Sequence, residues 1–163
     1  MRFRAGIAAT LLAVGLSDAA SAQEAVWIVR HAEKQTEANE PEVPLSEAGK
    51  ARAERLASLL SESGVSAIYA TATERARKTA EPLARKLGIP VRTYAPKDPL
   101  ADRIRAEHPE GRVLVVGHSN TVPEILVAFG HQTDVKIASN EFDNLFLLIP
   151  RKERPPTVIR LRY

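Results

Sequence analysis

Val26-Trp27-Ile28-Val29-Arg30-His31-Ala32-Glu33-Lys34 runs four apolar residues straight into an arginine–histidine pair. The run is short, β-branched and aromatic, which reads as a buried strand. The polar residues behind it then sit at the strand's carboxyl end, where open α/β sheets hold their ligands. The planar fork of an arginine matches phosphate oxygens, so Arg30 beside His31 at such a place points to an anion site, with phosphate the first anion to consider.

A second run of the same kind, Val113-Leu114-Val115-Val116, opens into Gly117-His118-Ser119-Asn120-Thr121. If the two runs are parallel neighbours, His31 and His118 emerge at one edge of the sheet. Helical patterns lie between them. Ser46 is placed to cap a helix on which Ala53, Leu56, Ala57 and Leu60 recur, and Gly64 stops it. Val65–Ala70 reads as a strand, followed by a helix with Ala76, Ala80, Leu83, Ala84 and Leu87 on one face, closed by Gly88 and Pro90. Pro82 inside that pattern predicts a kink or a broken turn. Val91–Tyr94 is a further strand, and a short helix reaches to about His108. Pro123 suits a helix's first turn, with Gly130 ending it, and 144–149 and 157–162 read as two final strands. Strands alternating with helices predict an α/β three-layer sandwich, mostly parallel, with an antiparallel edge near the C-terminus.

The first 22 residues read as an address. Arg2 and Arg4 start it, Ile7–Leu16 is apolar, and Ala20-Ser21-Ala22 is a small-residue cleavage pattern. The apolar run is shorter than the roughly 20 residues a spanning helix needs. The expectation is therefore a signal peptide over 1–22, an exported (periplasmic or secreted) protein, one domain over 23–163, and no stable membrane insertion after cleavage. The chain has no cysteine, which removes thiol nucleophiles, thiolate metal sites and disulfides. Its formal charge of +3 is a weak excess, and no aromatics are interleaved with a basic stripe, so nucleic acid has no support as a partner.

Two other chemistries compete for the histidines. A metal site could use His31, His118 and Glu33, but Arg30 places a fixed positive charge where the cation would sit. A serine hydrolase elbow at Gly117-His118-Ser119-Asn120-Thr121 lacks the final glycine, and no Asp lies between Ser119 and the later His131.

Three ordered motifs resemble the histidine phosphatase superfamily, which includes the cofactor-dependent phosphoglycerate mutases. Arg30-His31-Ala32-Glu33 resembles its Arg-His-Gly signature, with Ala32 in place of the usual glycine. Residues 68–80 resemble the segment carrying a second catalytic arginine, here Arg75, and 113–119 the segment carrying a second catalytic histidine, here His118. Residues 140–146 resemble a late strand entry in small exported members. The resemblance implies a phosphomonoesterase in which His31 attacks phosphorus and forms a phosphohistidine, needing no metal or organic cofactor. Arg30, Arg75 and His118 would surround the transferring group. Ser119, Asn120 and Lys34 are expected to touch substrate. The general acid falls to Asp98, in the loop before the short helix, with Asp102 and Glu33 as alternatives. The partner expected is a small phosphorylated molecule; the oligomeric state stays open. A phosphate-binding interaction module and a mutase are the rival functions.

Overall fold

In the computed structural model, which describes residues 25–35, 40–132, 134–151 and 154–163, period-two alternation splits each apolar run between two cores. Strand β1 (Ala25–Arg30) sends Val26 and Ile28 to one core and Val29 to the other. Strand β4 (Arg112–Gly117) does the same with Val113 and Val115 against Leu114 and Val116. Such strands are continuously apolar because both of their faces are covered.

Helices α1 (Glu47–Leu60) and α2 (Glu74–Leu87) cover one face. Helices α3 (Leu100–Glu107) and α4 (Thr121–Ala128) cover the other. With β2 (Val65–Thr71), β3 (Val91–Tyr94), β5 (Asn144–Ile149) and β6 (Thr157–Arg162), the sheet runs β3-β2-β4-β1-β5-β6. β3, β2, β4 and β1 are parallel, while β5 and β6 pair antiparallel at the end. The expected three-layer α/β architecture and its antiparallel edge are both present. No helix among the described residues is long and apolar enough to cross a membrane. The expected signal segment, residues 1–22, lies outside the described residues.

Local chemistry sets the helix ends as anticipated. Ser46 Oγ accepts the Gly49 N–H at 3.1 Å, and Gly88 closes α2 in the left-handed region at φ 67°. Pro82 is the exception. It breaks nothing: α2 continues through it as one helix, with Pro82 itself buried. Ala80, Leu83 and Ala84 around it are packed in the core, and that burial outweighs the one missing N–H.

Register brings the two histidine-bearing segments together. β1 and β4 are direct parallel neighbours with Arg30 opposite Gly117, so the residues leaving both strands do so side by side. The His31 N–H donates to the Gly117 carbonyl at 2.9 Å, extending that pairing to the histidine itself.

Candidate active site

Arg30, His31, Lys34, Arg75, His118, Ser119 and Asn120 line one cavity of about 330 Å³ at the carboxyl edge of the parallel strands. Two arginines and a lysine stand in that lining, and among the described residues no carboxylate does. The imidazole rings of His31 and His118 meet edge to face, 5.1 Å between centroids.

His31 is held in one tautomer. Its Nδ1 lies 2.8 Å from the Ala32 carbonyl oxygen, which can only accept, so Nδ1 carries the proton and Nε2 keeps its lone pair. Burial pushes its pKa down to about 3, against the opposing pull of the Ala32 carbonyl and with help from His118, Arg30 and Arg75. The ring is therefore neutral across the physiological range. His118 is also pushed down, to about 4, by burial and then by Arg75 and Arg30. Its Nε2 meets the Thr71 hydroxyl at 2.8 Å, and Thr71 in turn meets Thr73 at 3.2 Å.

The arginines are anchored through neutral carbonyls. Arg30 Nη1 donates to the carbonyls of Ala138, Ser139 and Glu141 at 2.8–3.0 Å, and its guanidinium lies 4.0 Å from the Phe142 ring centroid. Arg75 Nη1 donates to the Glu40 carbonyl at 2.9 Å, while its Nε is buried with no hydrogen-bond partner among the described residues. Carbonyl anchoring fixes direction without cancelling charge. Thr79 ties two of these segments together: its hydroxyl accepts the Ala32 N–H at 2.9 Å and donates to the Arg75 carbonyl at 2.7 Å.

The Gly117 to Thr121 turn is tight. A Cβ on Gly117 would come within 2.6 Å of the Thr121 hydroxyl, which accepts the His118 N–H at 2.8 Å. The absent side chain lets that hydroxyl hold the turn carrying His118, Ser119 and Asn120.

None of the carboxylates expected as proton donors lines the anion cavity itself. Glu33 makes a two-pronged ion pair with Arg52 at 2.7–2.9 Å, and although burial alone would raise its pKa, Arg52 holds it below the usual range. That favours a fixed anion over a proton donor. Asp102 is paired with Arg105 at 2.9 Å. Asp98 accepts the Ala95 N–H at 2.7 Å and lies outside the anion cavity, in a neighbouring cavity that His118 also lines. No group of three or more metal-ligating side chains occurs among the described residues.

Sequence reasoning passed over Thr71, Thr79 and Phe142. Thr71 was legible as the strand end facing the site, and Thr79 as a lone hydroxyl among the apolar positions of α2. Phe142 carried no positional signal, because only the packing of the 138–142 loop brings it over Arg30.

Residues 26–95 match the histidine phosphatase superfamily (branch 1). Among solved structures, the protein histidine phosphatase SixA complexed with tungstate aligns with a TM-score of 0.68 at 18% identity, covering 85% of this chain and 96% of that one. SixA from Agrobacterium tumefaciens aligns at 0.65 and 22% identity, covering 86% and 98%. A mycobacterial glucosyl-3-phosphoglycerate phosphatase bound to inorganic phosphate aligns at 0.68 and 14% identity, covering 86% and 96%. A comparison with curated proteins finds no match.

Proposed function

We propose that this chain is a phosphatase that hydrolyses a phosphate monoester through a covalent phosphohistidine at His31. One observation carries the reading: a buried, neutral imidazole with its Nε2 lone pair intact lines a cavity whose charged groups, among the described residues, are all cationic. Similar folds holding tungstate and phosphate add support for a tetrahedral oxyanion there.

In the first step, His31 Nε2 forms a bond to phosphorus as the bond to the leaving oxygen breaks. Arg30, Arg75 and Lys34 stabilise the charge on the equatorial oxygens, with His118, Ser119 and Asn120 completing the cradle. Asp98 supplies the leaving oxygen's proton from the cavity it shares with His118. Water then attacks phosphorus, the P–N bond breaks, and the water's proton returns to Asp98. The test is residues 23–163 against a panel of phosphate monoesters in chelator, with His31→Ala as control. Turnover in the wild type and none in the variant is the expected result; equal turnover would remove His31 as nucleophile.

A second reading is a phosphate-binding module with little turnover, favoured by the position of Asp98 outside the anion cavity. Phosphate binding without hydrolysis of any ester in the panel would select it. We further propose export, supported by the basic start, apolar stretch and Ala20-Ser21-Ala22. Mass spectrometry of the protein from the producing cell should find a chain starting at Gln23, and one starting at Met1 would overturn it.

A further inference from the structure

His118 lines two cavities. Beyond the anion cavity lies one of about 450 Å³, walled by Pro41, Ala72, Tyr94 and Pro96 and bearing the carboxylates of Glu42 and Asp98. Among the described residues His118 is the only basic one in its lining, and burial keeps that ring neutral. Tyr94, Pro96 and Asp98 are shared in turn with a third cavity of about 290 Å³, which adds Asp102 and Glu124. Asp102 is offset by Arg105, and Lys97 adjoins Asp98 in the chain, whereas Glu42 has no ion pair among the described residues. The charge along this path therefore reverses, from cationic around the phosphoryl group to anionic beyond His118.

We infer that the leaving group of the substrate is a short apolar stem bearing a positive charge, seated in the cavity beside His118 with Glu42 as its counter-charge. This rests on the phosphatase reading of the anion cavity. Geometry supplies the first part, because a group leaving phosphorus past His118 enters this cavity. Electrostatics supplies the second. Glu42 and Asp98 are exposed, and exposed charges about 5–10 Å apart still interact, weakened by solvent and salt screening. The apolar walls suit a methylene stem, and neither Glu42 nor Asp98 offers anything to a second phosphate or a carboxylate.

Three phosphate monoesters test it: ethyl phosphate, phosphoethanolamine and 2-phosphoglycolate, whose two-carbon leaving groups are neutral, cationic and anionic. The expected kcat/KM for phosphoethanolamine exceeds that for 2-phosphoglycolate by about tenfold or more. Glu42→Gln should shrink that ratio at least about threefold, and Glu42→Lys should shrink it further or invert it. A wild-type ratio near one, or a ratio unmoved in Glu42→Lys, overturns the inference. Dissociation constants measured by calorimetry on the same proteins separate the two readings. A charge preference in binding with no hydrolysis keeps the cation cavity and overturns the phosphatase. Hydrolysis without the preference does the reverse.

Discussion

Two clusters in this molecule use nearly the same side chains to opposite ends. At the anion cavity stand Arg30, Arg75 and His118; under α3 stand Arg92, Arg103 and His108. The difference is Glu107. It takes Arg92 at 2.8 Å, Arg103 at 2.9 Å and the Tyr69 hydroxyl at 2.8 Å, while His108 Nε2 meets that hydroxyl at 3.0 Å. The second cluster is a closed network in which both arginines share the Glu107 carboxylate. In the first, the arginines are steered by backbone carbonyls and no carboxylate among the described residues enters the lining. A cluster of arginines and histidine with no carboxylate among its described lining residues presents positive charge to an anion, whereas a glutamate shared by two arginines ties its cluster into structure.

Substitutions should separate the clusters, beginning with the largest effect. His31→Ala removes the proposed nucleophile and should lower kcat by about 10⁴-fold or more while leaving the fold intact, as judged by thermal melting. Arg75→Ala should cost about 10²–10³-fold in kcat through lost stabilisation of the transferring group. Arg92→Ala in the closed network should leave kcat within about twofold, since an exposed ion pair contributes little even to stability. A large loss of activity in Arg92→Ala would erase the contrast between the clusters.

Thr79→Val tests the strut between α2 and the loop that carries His31. It strips the Ala32 N–H of its acceptor and should cost about 1–3 kcal/mol in stability, read by denaturant unfolding, with kcat falling and KM little changed. Tyr69→Phe, by comparison, should cost about 1 kcal/mol and leave catalysis alone.

Acidity should also distinguish the regions. The folded pKa values of His31 and His118, about 3 and about 4, lie below the ordinary 6.5. Below pH 6.5 the unfolded chain takes up protons that the folded site refuses, so their contribution is whole above 6.5 and declines as the pH falls toward 4. The melting temperature should drop between pH 7 and 4.5, and His118→Asn should make the drop shallower. An identical drop in the variant would show that His118 is not a source of it.

Most of the architecture was legible in the residues. The two valine-rich runs, the Ser46 cap, the Gly88 stop and the final pair of strands all follow from periodicity and local backbone chemistry. Pro82 was misleading, since its local penalty is real and only the packing around it makes the penalty bearable. In the site, residues at strand ends and on helix faces could be read from spacing. Phe142 and the carbonyls of Glu40, Ala138 and Ser139 could not, because irregular segments carry no period.

The sequence by itself determined the layered α/β fold and the residues proposed to carry phosphoryl chemistry, for apolar period and residue type are local properties. Tertiary structure alone decided which charges meet. It set Arg30 opposite Gly117, brought Arg75 to His118 and withdrew Glu33 to Arg52. It also gave His118 a second, acidic cavity. Electrostatic character depends on distance and burial, and those are fixed only when the strands are in register and the loops are packed.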